Sequence, residues 1–139
     1  MVVDWHNTLE KDLQVTPRNL YALEMLADRC QVLVLSYVNS SWRENQELEL
    51  VSKLPQAHKL MGYQCCWKQV GQDGKVDIAC DLNAIAIFDD AKCICQEAEK
   101  WGLQVYPIQT ETQMHSWHYR QYACFAEAVD AFLKDNFWG

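Results

Sequence analysis

The chain switches between two hydrophobic rhythms. Continuous apolar runs mark strands: MVV leading into Asp4, QVLVLS over 31–36, KLMGYQCCW over 59–67, NAIAIFDD over 83–90 and LQVYPI over 103–108. Runs of this kind suit strands covered on both faces. Between them, apolar residues recur at helical spacing. Thr16 and Pro17 open the first such segment, Thr as cap and Pro at the first helical position. Leu20, Leu23, Leu26, Ala27 and Cys30 form its apolar stripe. Ser41-Trp42-Arg43-Glu44 has the form of a capping box and predicts a helix carrying Leu48, Val51 and Leu54, ended by Pro55. GQDG over 71–74 reads as a turn, and a short helix follows from Lys75 to Asp81. Ala91 to Trp101 predicts a helix stopped by Gly102. The polar stretch 109–121 reads as a loop. Phe125, Ala128, Val129, Phe132 and Leu133 mark a last amphipathic helix.

Strands alternating with helices predict an α/β fold. The expected form is a three-layer, Rossmann-like domain with a parallel sheet of about five strands and helices on both faces. The 139 residues, half of them hydrophobic, suit one domain over 1–139. Met1 stands only three residues ahead of Asp4, which fits either a minimal domain or a piece of a longer chain. In parallel sheets of this kind ligands bind beyond the carboxyl ends of the strands. That rule singles out Asp4 with His6, Ser36, and the pair Asp89-Asp90, because each lies where an apolar strand stops.

Charge and cysteine usage narrow the classes. The formal net charge of −7 argues against a nonspecific nucleic-acid surface, which needs clustered Lys and Arg. No apolar run is long enough to span a membrane, and the first residues do not read as a secretory leader. The seven cysteines, Cys30, Cys65, Cys66, Cys80, Cys93, Cys95 and Cys124, sit mostly in apolar stretches and read as small core residues. None forms a C-x-x-C pair, so free thiols in a reducing intracellular compartment are expected. His115 and His118 stand three apart without a third ligand in view and read as part of a polar loop. Trp42, Trp67, Trp101 and Trp117 read as core or half-buried packing rather than base-stacking platforms.

The strand ends carry the candidate chemistry. Converging carboxylates suit Mg²⁺, a hard cation that takes oxygen ligands. A carboxylate is also a nucleophile toward phosphorus. A hydroxyl at Ser36, backbone N–H groups and the ammonium of Lys75 are suited to hold phosphate oxygens.

Four short motifs, in order, resemble the haloacid dehalogenase superfamily of phosphatases and phosphotransferases. VVDWHNTL supplies Asp4, His6 and Thr8 where the family has D-x-D-x-T after an apolar strand. VLVLS supplies Ser36, GKVDIA supplies Lys75, and IAIFDD supplies Asp89 and Asp90. The resemblance implies a nucleophilic Asp4 that forms an aspartyl-phosphate. It implies a Mg²⁺ site made by Asp4, the backbone carbonyl of His6, and Asp89 or Asp90. Thr8, Ser36, Tyr37 and Lys75 would hold the first loop and the phosphoryl group. His6 is the departure, since phosphatases of this superfamily place a second Asp there as acid and base. Imidazole titrates near neutral pH and suits the same role.

The intervals Asp4 to Ser36 and Ser36 to Lys75 leave room for one helix and one helix plus strand, so no large cap is expected. An open site suits a large or macromolecular phosphorylated substrate. The expected activity is a Mg²⁺-dependent phosphohydrolase acting on a phosphomonoester. The competing reading is a domain that keeps the fold as a phosphate- or metal-binding or protein-interaction module. A nucleic-acid-end phosphatase would need a basic groove, for which Lys68, Lys75, Lys92 and Arg120 are the candidates. Taken singly, Asp4, Asp89 and Asp90 read as ordinary turn residues after buried strands; their order with Ser36 and Lys75 is what points to a site.

Overall fold

A computed structural model describes residues 1–4, 8–10, 14–38, 45, 60–67, 74–109 and 120–138. The described strands form one parallel sheet: β1 (Val2–Asp4), β2 (Val32–Val38), β3 (Leu60–Trp67), β4 (Ala86–Asp89) and β5 (Gln104–Pro107). Their order across the sheet is β3-β2-β1-β4-β5. The described helices are α1 (Pro17–Arg29), α2 (Gly74–Asp81), α3 (Lys92–Lys100) and α4 (Phe125–Leu133), the last continuing into a wider π-helical turn over Lys134–Trp138. The helix expected over Ser41–Leu54 lies outside the described residues, as do the loop stretch 110–119 with His115 and His118, and Lys68. No described helix is long and apolar enough to cross a membrane.

Side-chain alternation in the strands builds a core on each face. Val3, Val32, Val34, Ala86, Phe88 and Tyr106 face α1 and α4 in one apolar layer. Val2, Leu33, Leu35, Ile87 and Val105 pack in the other, with residues of α2 and α3. A strand period of two thus sends neighbouring residues to opposite layers, which is why these strands read as unbroken apolar runs. The first layer is rich in rings. Phe88 stacks on Tyr106 at 5.1 Å between centroids and meets Phe125 and Phe132 edge-on at 5.5 and 5.8 Å. The five apolar residues read on the last helix are all buried.

Helix boundaries follow the expected chemistry. The Thr16 side chain accepts the Asn19 N–H at 3.1 Å, so Thr caps α1 with Pro17 at its first position. Gly102 ends α3 with a φ of 81°. There the Gly102 N–H reaches the Glu99 carbonyl and the Leu103 N–H reaches the Ala98 carbonyl, the paired closure of a Schellman motif.

Four sequence expectations are corrected. Asn83 is not part of a strand: at a φ of 55° it closes α2, with Ala84 N–H donating to the Ala79 carbonyl. Ile85 follows it half-exposed, and pairing starts at Ala86. The buried face of α1 runs through Asn19, Ala22, Leu23 and Leu26, leaving Leu20 half-buried. Of the five described free cysteines only Cys95 is buried, because Cys30, Cys80 and Cys124 sit at or near helix ends and Cys93 faces outward from the first turn of α3. Trp101 is 66% exposed at the end of α3, its Nε1–H donating to Glu97 Oε1 at 2.9 Å.

Phe132 is fully buried among Phe88, Tyr106 and Phe137. Phe132→Ala is expected to lower the unfolding free energy by about 3–5 kcal/mol, read from urea denaturation. A loss under about 1 kcal/mol would show that the ring layer closes around the gap.

Candidate functional site

The strand order reverses direction at β1. The chain moves outward from β1 through β2 to β3, then returns to the other side for β4 and β5. The crevice at such a switch point opens beyond the carboxyl ends of the two central strands. Here those ends are Asp4 of β1 and Asp89 of β4, followed by Asp90. Asp4 lies two residues after Val2 and Asp89 two after Ile87, so both acids follow the α2 and α3 side of the sheet.

Lys75, in the first turn of α2, meets them there. Its ammonium donates to Asp4 Oδ1, and to Asp89 Oδ2 at 3.3 Å. All three residues are buried, with 3% of Asp4, 3% of Lys75 and 1% of Asp89 exposed. The Thr8 hydroxyl donates to Asp4 Oδ2 at 3.1 Å, so each Asp4 oxygen has a donor. Ala91 N–H donates to Asp89 Oδ1 at 2.9 Å, which seats that carboxylate at the start of α3. Asp90 completes the group: ligand atoms of Asp4, Asp89 and Asp90 all lie within 4.8 Å of one another.

The charges do not balance. Three carboxylates face one ammonium, which leaves an excess of two negative charges when all are ionised. Burial and the neighbouring Asp4 charge push Asp89 up to about 6, against the pull of Lys75 and the Ala91 N–H. Burial pushes Asp90 up to about 9, reinforced by Asp4, with which it shares a hydrogen bond, and by Asp89. Burial alone would drive Lys75 toward neutrality, but Asp4 and Asp89 hold it charged above its ordinary value. An all-oxygen set of buried acids with two surplus charges matches what a hard divalent cation takes.

The described structure therefore brings together Asp4, Thr8, Lys75, Asp89 and Asp90 from the expected set. Ser36 and Tyr37 lie at the carboxyl end of β2, where their backbone pairs with Cys65 and Cys66 of β3. Leu35 pairs with Asp4, so Ser36 stands one position beyond the acid on the neighbouring strand. His6 lies outside the described residues, and so do most of the two intervals on which the expectation of a capless site rests.

Two residues were not anticipated. Cys95 Sγ donates to the Asp89 carbonyl at 3.6 Å, and burial raises its thiol well above its ordinary value. In the sequence it was one more small apolar residue. Asn19 is buried between the segment after β1 and α4. Its spacing to Leu23 and Leu26, four and seven positions on, is the signal that puts it on the core face of α1.

A raised carboxyl pKa means that the folded state binds protons the unfolded chain has released. Metal-free protein should therefore lose stability as pH rises from about 4, the ordinary carboxyl value, toward the Asp90 value of about 9. Lys75 adds no slope in this window, because it is charged in both states below about 10.4. Asp90→Asn should flatten the profile and raise the melting temperature at about pH 8. Lys75→Met should cost about 3–5 kcal/mol near neutral pH, because it leaves buried acids unpaired, and less at acid pH. Thermal unfolding in chelator across this range checks all three; a flat parental profile would contradict the charge imbalance.

No protein-family model matches the sequence, and no curated protein matches it. Solved structures do. The chain superposes on a D,D-heptose 1,7-bisphosphate phosphatase from Burkholderia thailandensis with a TM-score of 0.67 and 13% identity, covering 95% of this chain and 96% of that one. It also superposes on a haloacid dehalogenase-like family hydrolase from Streptococcus pneumoniae with a TM-score of 0.62 and 15% identity, covering 86% of this chain and 60% of that one. With its parallel sheet, two helical layers and acid-bearing central strand ends, the chain has the haloacid dehalogenase-like fold.

Proposed function

We propose that this protein is a Mg²⁺-dependent phosphohydrolase that cleaves a phosphomonoester through an aspartyl-phosphate on Asp4. The observation that carries the reading is the buried Asp4–Lys75–Asp89–Asp90 cluster at the switch point of the sheet. The names of the two similar structures, a phosphatase and a hydrolase, support the same chemistry.

Asp4 attacks phosphorus through a carboxylate oxygen, and the bond from phosphorus to the ester oxygen breaks. His6, as imidazolium, gives its proton to the departing alkoxide. Water then attacks the phosphorus of the acyl phosphate, His6 takes the water's proton, and the bond to Asp4 breaks to release phosphate. Lys75 offsets the negative charge that Asp4 carries and that the phosphoryl oxygens develop. Thr8 holds the second Asp4 oxygen in place. Ser36 and Tyr37, at the end of the adjacent strand, contribute hydrogen bonds to the phosphoryl oxygens. Asp4, Asp89, Asp90 and the His6 carbonyl would hold Mg²⁺, which supplies charge neutralisation for the anionic reactants.

The short intervals around Ser36 favour a large or macromolecular phosphomonoester as substrate. Histidine at position 6 also keeps open a domain that binds a phosphate or a metal without turning over, and the first experiment separates the two.

Phosphate release should be measured with an aryl phosphate, a phosphopeptide and an end-phosphorylated oligonucleotide, each with Mg²⁺ and with chelator. Release should require Mg²⁺, and Asp4→Asn should lower it by at least about 10³-fold. With an alkyl phosphate, kcat/KM should fall as pH rises past about 6.5, the ordinary histidine value, and His6→Gln should remove that fall. Release that survives Asp4→Asn would refute the nucleophile. Binding of Mg²⁺ or phosphate without release from any substrate would favour the binding domain.

A further inference from the structure

Asn19 makes three hydrogen bonds from a buried place on α1. Its main-chain N–H donates to the Thr16 hydroxyl at 3.1 Å. Its side-chain Nδ2 donates to the Leu9 carbonyl at 3.4 Å, and its Oδ1 accepts the Ala126 N–H at 3.2 Å. The amide orientation follows from the partners, since a carbonyl only accepts and an amide N–H only donates. Ala126 lies in the first turn of α4, whose own cap, Cys124, supplies no side-chain hydrogen bond. Asn19 therefore satisfies one of the orphan donors of α4 from another helix. With its other arm it grips the residue next to Thr8, and Thr8 holds Asp4.

We propose that Asn19 is a positioning residue: it ties the segment bearing Asp4 and Thr8 to the α1–α4 layer and so sets the attack geometry of Asp4. The catalytic part of this inference rests on the proposed phosphohydrolase reading. A bidentate amide suits this place because the segment after β1 needs a donor for a buried carbonyl and α4 needs an acceptor for a buried N–H. An apolar residue of the same size would leave both unpaired. Leu9 is fully buried, so no water replaces the lost partner at its carbonyl without opening the core.

Asn19→Asp separates the two arms. It keeps an acceptor for the Ala126 N–H at a helix start, where a carboxylate is favoured, and loses the donor to Leu9. Hydrogen exchange should quicken about 10-fold or more at Thr8 to Glu10 while the amides of α4 keep their protection. For the most active substrate, kcat should fall by about 10–100-fold with KM changed by less than about 3-fold. Should Asn19→Asp fail to fold, Asn19→Leu combined with Cys124→Ser gives α4 a local cap and the same two readouts apply. Unchanged exchange at Thr8 to Glu10 overturns the proposal, and so does full recovery of kcat in the capped double variant. A parent protein without turnover dependent on Asp4 would refute the phosphohydrolase reading instead, and the exchange measurement would still decide whether Asn19 anchors the segment.

Discussion

Lys75 stands between two buried carboxylates that come from different strands. Without that ammonium, Asp4 and Asp89 would bring like charges together in a place that water does not reach. With it, two acids are paired and a third, Asp90, is left over. The imbalance appears in the raised affinity of Asp89 and Asp90 for protons. A cluster of this kind is not self-stabilising; it persists because the layers around it are well packed and leave the carboxylates nowhere to go.

The packing explains how the charges meet. Val2 and Ile87 belong to one apolar layer and Val3 and Phe88 to the other. Two residues beyond Val2 and Ile87, the strand period returns the side chain to the α2–α3 side, and that is where Asp4 and Asp89 follow. Lys75 reaches the cluster from the first turn of α2, which packs in that layer. Ala91 N–H at the start of α3 binds Asp89 from the same side. The opposite layer contributes differently. Its rings brace β4 through Phe88, and α1 braces the segment after β1 through Asn19.

The same electrostatics constrains any substrate. A chain of net charge −7 with surplus negative charge at its strand ends repels a phosphate dianion. A divalent cation held by the acids would reverse the local sign, so metal and phosphate requirements are one constraint. Lys75 alone does not meet it, because both of its carboxylate partners already use its charge.

The amino-acid sequence by itself determined the alternation of strand and helix, the cap at Thr16, the stop at Gly102 and the apolar face of the last helix. Each depends on residues close in the chain, through backbone sterics and periodicity. It also placed Asp4, Ser36, Asp89 and Asp90 at strand ends, because a polar residue closing an apolar run is visible without a fold. Only the tertiary structure decided that Lys75, 71 residues from Asp4, pairs with it. The same holds for Asn19, 107 residues from the Ala126 it caps. Such contacts depend on strand order and helix placement, which local periodicity does not encode. Asn83 and Trp101 went the same way: a residue's burial depends on which elements cover it, and helix ends at the sheet edge are left uncovered.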